Sequence, residues 1–104
     1  MKLAYTSLIL VILSGCSPYY DVSASECSSL ATNAEAYMEY RLDGYGISNT
    51  PLYSNYDTPE YKKADYYTRE QAFDYKIKNN NKRNLIISDF STEIYKKCMN
   101  SGGL

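Results

Sequence analysis

Apolar residues crowd the start of the chain and then thin into stripes. Leu3 to Leu13 is apolar apart from Thr6 and Ser7. That run is shorter than the ~20 residues a helix needs to span a bilayer. Further on, Cys27, Leu30, Ala31, Ala34, Tyr37, Met38 and Leu42 recur at helical spacing, with Glu26, Glu35 and Glu39 largely on the other side. Ser23 and Glu26 have the spacing of a capping box, which starts this helix near Ala24. Gly44 is a natural stop. The stretch 44–57 is rich in Gly, Ser, Asn and Pro and reads as a loop. Thr58-Pro59-Glu60 then offers an N-cap, a proline at N1 and an acid in the first turn. A second helix follows to about Lys78, with Tyr66, Phe73 and Ile77 on one face and Ala72 beside it. Asn79-Asn80-Asn81 breaks it. A third helix runs from about Arg83 to Met99, where Ile87, Phe90, Ile94 and Cys98 form one stripe. Leu85-Ile86-Ile87 alone also fits a short strand. Lys96 and Lys97 fall in the expected last turn, where cations complement the helix dipole. The tail from Asn100 to Leu104 is expected to be mobile.

The apolar run has the length of a signal-peptide core, roughly 7–15 residues, behind the positive Lys2. It ends in Leu13-Ser14-Gly15-Cys16, which resembles the lipobox of bacterial lipoproteins. The resemblance implies cleavage before Cys16 and acylation of that cysteine, whose thiol carries diacylglycerol. A plain signal peptide or an uncleaved anchor are the alternatives. Residue 17 is Ser and not Asp. In enterobacterial lipoproteins an Asp there resembles an inner-membrane retention signal. Its absence implies, in a Gram-negative host, a lipid anchor in the outer membrane on the periplasmic face.

With Cys16 assigned to lipid, Cys27 and Cys98 remain, in a compartment that oxidises thiols. They allow one intramolecular pairing, enclosing 72 residues. Two separate buried thiols are the alternative. A bridge would set the first and third helices side by side and antiparallel. The expected architecture is all-α: a signal peptide over 1–15, a lipidated tether over 16–24, and a three-helix domain over 25–104 stapled by one disulfide. The mature part also resembles a loose group of small exported helical proteins of bacteria and prophages, through Cys27, Arg41, Gly44, Phe90 and Cys98. That resemblance implies the fold and adds little on function.

Composition narrows the chemistry. The 104 residues carry a formal charge of −1 and no histidine. Near-balanced charge gives no strong pull on nucleic acid. Without histidine the commonest general acid/base is missing, and two thiols alone make too few good metal ligands. No phosphate-binding glycine loop is present: Gly44-Tyr45-Gly46 lacks the strand and helix such a loop needs. The acids lie on expected solvated faces, so no catalytic residue, metal, cofactor or small-molecule substrate is assigned. Charge is segregated, however. From Cys16 to Asp74, ten acids face four bases, for −6; from Tyr75 onward, six bases face two acids, for +4. Helix-to-helix complementarity and a steering surface for a charged partner both account for this.

Tyrosine is frequent, at 13 copies with no tryptophan. A coding bias of AT-rich genomes explains such a count, and so does a contact surface, since tyrosine pairs large area with a polar tip. Tyr53, Tyr56, Tyr61, Tyr66 and Tyr67 lie in and after the long loop and are the candidate partner-binding residues. Core packing is the alternative for some of them. The sequence therefore leads to the expectation of a non-enzymatic, membrane-tethered binding protein acting on another envelope protein, similar to exclusion, immunity or inhibitor proteins. A structural or accessory subunit of an envelope complex is the second reading.

Overall fold

The computed structural model describes residues 17–53, 55–78 and 82–101. Cys16, the preceding segment read as a signal peptide, the 79–81 break and the tail over 102–104 lie outside the described residues. The described elements are α1 (Ala24–Leu42), a 3₁₀ turn (Ile47–Asn49), α2 (Pro59–Asp74) and α3 (Arg83–Ser101). Among the described residues the protein is an all-helical three-helix domain with one disulfide, Cys27–Cys98. Leu85–Ile87 is helical.

Both ends of α1 follow from local chemistry. The Ser23 hydroxyl accepts from the Glu26 amide at 3.2 Å, and the Glu26 carboxylate accepts from the Ser23 amide at 2.9 Å. At the other end Gly44 takes φ +94°. Its amide reaches the Arg41 carbonyl and the Tyr45 amide reaches that of Tyr40, each at 3.0 Å. These two bonds make a Schellman stop, and the Tyr40 and Tyr45 rings close over it with centroids 5.1 Å apart. At the start of α2 the Thr58 hydroxyl accepts from the Tyr61 amide at 3.2 Å, with Pro59 at N1.

The end of α2 comes four residues before the Lys78 expected from sequence. Arg41 of α1 donates through Nη1 to the carbonyls of Ala72 and Tyr75, both at 2.7 Å. A charged donor on these carbonyls holds the helix end where the backbone turns extended at Tyr75. The Tyr75 ring then packs on Phe90 at 5.1 Å.

Cross-helix contacts set the directions. Cys98 bonds to Cys27, the Ser91 hydroxyl donates to the Ala31 carbonyl at 2.8 Å, and Arg83 pairs with Asp43 at 2.9 Å. So α3 runs antiparallel to α1, as the cysteine pairing requires. By contrast Tyr61 meets Ser29 and Asn33, Asp65 meets Tyr37, and Ala72 meets Arg41. Partner numbers rise together, so α2 runs parallel to α1. The connection over 43–58 must therefore travel back along α1 before α2 begins, which accounts for its length.

The core differs from the sequence expectation at several positions. In α3 the buried stripe starts at Ile86, and Ile87 is half-buried. This helix also continues to Ser101, so Lys96 and Lys97 precede its last turn and Asn100 and Ser101 are helical. In α2 the buried face is Tyr61, Ala64, Asp65, Thr68 and Ala72, and Tyr66 is exposed. The start of the chain changes most. The stretch read as tether contributes Tyr19 and Val22 to the core, and the Tyr19 hydroxyl bonds to Thr68 at 2.9 Å. Packing thus begins ahead of residue 25.

Candidate functional site

The 43–58 connection is held by side chains, because as a crossover it lacks a backbone ladder of its own. Three of its residues are anchored. Arg69 Nη1 donates to the Thr50 carbonyl at 2.7 Å. The Tyr53 amide donates to the Tyr37 hydroxyl at 3.1 Å. Asn55 Oδ1 accepts from Asn33 Nδ2 and from the Tyr61 hydroxyl, both at 2.8 Å.

These anchors converge on a polar network inside the helix interface. The Tyr37 hydroxyl donates to Asp65 Oδ1 at 2.5 Å, and Asn33 Nδ2 lies 3.1 Å from the same oxygen and 2.9 Å from the Tyr61 hydroxyl. Ser29 bonds to that hydroxyl at 2.8 Å. Asp65 is 1 % exposed and takes part in no ion pair among the described residues. Its Oδ2 and the Nε of Arg69 have no protein partner among the described residues. Burial, and then donation to Asp65, push the Tyr37 phenol above its ordinary value. Burial also raises Tyr61, against the opposing bond from Ser29.

The five candidate tyrosines do not form one surface. Tyr61 is fully buried at 0 % exposure, so it supports the loop from below and cannot be an accessible contact. Tyr67 is partly buried, with its ring edge-on to Tyr19 at 5.6 Å. Tyr66 is exposed and carries the Arg69 guanidinium 5.3 Å from its ring centre. Tyr53 and Tyr56 are exposed on the pinned connection. Two further residues join them there, Tyr45 and Leu52. Tyr45 has a sequence signal, because the residue after a Schellman glycine commonly makes an apolar contact back to the helix. Leu52 has none.

A cleft of about 250 Å³ opens beside this face, lined by Ala36, Glu39, Tyr40, Asp43, Tyr45 and Tyr53. Burial raises the Tyr53 phenol, and the adjoining Tyr40 hydroxyl and Glu39 charge raise it further. A second hollow of about 410 Å³ lies along α3, where Lys78, Lys96 and Lys97 alternate with Asp89 and Glu93. Its mixed charge gives it no clear preference for either sign.

No three His, Cys, Asp or Glu residues converge on a common point among the described residues. No described helix is long and apolar enough to cross a membrane. Comparison with protein families, with curated proteins and with solved structures finds no match to this chain.

Proposed function

We propose that this protein is a lipid-anchored binding protein of the cell envelope that acts without catalysis on another envelope protein, in the manner of exclusion, immunity or inhibitor proteins. One observation carries the binding reading. Of the eight exposed large apolar side chains among the described residues, four lie between residues 45 and 56: Tyr45, Leu52, Tyr53 and Tyr56. They project from a connection fixed at Thr50, Tyr53 and Asn55. Fixing a loop in advance lowers the ordering cost of binding. Rigid tyrosines supply contact area at small entropic cost. The lipid on Cys16 holds the domain at the periplasmic face of the outer membrane and raises its effective concentration near membrane targets.

Photo-crosslinking in intact cells tests this. A crosslinking residue replacing Leu52 or Tyr56 should give one discrete adduct, and the same residue at Leu85 or Tyr95 should not. The pair Tyr53→Ala and Tyr56→Ala should abolish the Leu52 adduct while leaving the domain folded, with a far smaller loss of melting temperature than Tyr61→Ala. Equal adducts from every position would instead favour a subunit embedded in a larger complex. Mass spectrometry of the mature chain checks the anchor: it should begin at acylated Cys16, and Cys16→Ser should release the protein from the membrane. An unmodified terminus at another residue overturns the anchor.

A further inference from the structure

We infer that the cleft formed by Tyr40, Tyr45 and Tyr53 receives an arginine side chain of the partner protein, with Glu39 as its counter-charge. The inference rests on the binding function proposed above and specifies its chemistry.

The size of the cleft, about 250 Å³, lies below the roughly 300–1,000 Å³ usual for small-molecule sites. It suits the head of one side chain. Three of its six lining residues are tyrosines. Tyr40 and Tyr45 meet at 57° with centroids 5.1 Å apart, and Tyr53 forms the third side, its ring 5.5 Å from that of Tyr37. Tyrosine ring faces carry negative potential and attract cations.

The rim agrees with the walls. Glu39 and Asp43 stand one turn apart at the end of α1, and no lysine or arginine lines the cleft. Asp43 is engaged by Arg83, whereas Glu39 is in no ion pair among the described residues. The geometry is also set in advance. The Schellman turn fixes Tyr45 over Tyr40, and Tyr37 fixes the backbone of Tyr53. Arginine fits better than lysine, because a planar guanidinium stacks on rings while its fork pairs with a carboxylate.

The test is an NMR titration of the full chain carrying ¹³C-labelled tyrosine. The probes are capped Gly-Arg-Gly, the lysine tripeptide, and the neutral citrulline tripeptide. The arginine peptide should shift the rings of Tyr40, Tyr45 and Tyr53 and leave Tyr20 and Tyr95 in place. Citrulline should bind about 5-fold more weakly or worse, because the cation–π and ionic attractions are lost. Glu39→Gln should weaken the arginine peptide about 3-fold. Arg83→Gln should strengthen it, by freeing Asp43 from an internal cation. Equal binding of citrulline, tighter binding of the lysine peptide, or shifts spread over all exposed tyrosines would each overturn the inference. If the arginine peptide fails while the loop adduct persists in cells, the cleft assignment falls and the binding function stands. Arginine bound at the cleft with no loop adduct keeps the cleft and overturns the envelope partner.

Discussion

Removing one hydroxyl at Tyr61 separates support from contact. The ring is fully buried against Tyr56, with centroids 5.0 Å apart, and its hydroxyl serves Ser29, Asn33 and Asn55. In Tyr61→Phe the ring stays. Asn33 keeps Asp65 and Asn55, and half-buried Ser29 can turn to water. The loss is then about one buried hydrogen bond, roughly 1–2 kcal/mol. Tyr61→Ala also opens a cavity under the connection and should cost about 3–5 kcal/mol. Tyr56→Ala, on an exposed ring, should cost no more than about 1 kcal/mol. For a domain of this size each 1 kcal/mol moves the melting temperature by about 4–8 °C. Thermal and urea melts should therefore rank Tyr61→Ala lowest, Tyr61→Phe intermediate and Tyr56→Ala near the parent. The Tyr53 amide should meanwhile exchange faster in Tyr61→Phe, because its neighbouring anchor at Asn55 is weakened. A Tyr61→Phe protein as stable as the parent, or a Tyr56→Ala protein as unstable as Tyr61→Ala, would refute the assignment of Tyr61 to the support.

Three further outcomes follow from the fold. Replacing Cys27 and Cys98 together by Ala should destabilise the domain by roughly 4 kcal/mol, since the bridge encloses a long loop, and the parent should show no titratable thiol from this pair when denatured. Arg41→Ala should cost about 1–3 kcal/mol in urea melts, because two carbonyls at the end of α2 lose a charged donor. Alkaline pH should unfold the domain: Tyr19, Tyr37 and Tyr61 have folded pKa values raised chiefly by burial, so the folded state binds more protons than the unfolded one. Their contribution is complete below about pH 10 and declines above it, and absorbance at the phenolate band should report them ionising together with unfolding.

Local signals are readable in the sequence and distant partners are not. The capping box at Ser23, the stop at Gly44 and the start at Thr58-Pro59 each depend on residues within five positions, and each forms as its spacing indicates. The end of α2 depends on Arg41, more than thirty positions earlier, and no local pattern announces it. The buried face of α2 is hidden for a related reason. Tyr61, Ala64, Asp65, Thr68 and Ala72 have good helical spacing, yet Asp65 and Thr68 look solvated until Tyr37, Asn33 and Tyr19 arrive to bond them. In α3, three consecutive apolar residues leave the start of the stripe ambiguous between Ile86 and Ile87. The parallel direction of α2 is invisible because it is set by these same distant bonds. So the loop is legible as a loop, but not as a crossover carrying a fixed face.

The bridge has a mechanical consequence. Cys27 and Cys98 enclose α2, the crossover and most of α1 and α3. A pull between the two ends of the described chain passes from residues 17–26 through the sulfur bond to residues 99–101. Only those flanks can lengthen, to about 45 Å in all at ~3.5 Å per residue. The enclosed residues, which would add about 250 Å if released, bear none of that load while the bond is intact. Tension applied between the two chain ends would therefore leave the tyrosine face folded and in register. Reducing the bond would expose that same face to the load.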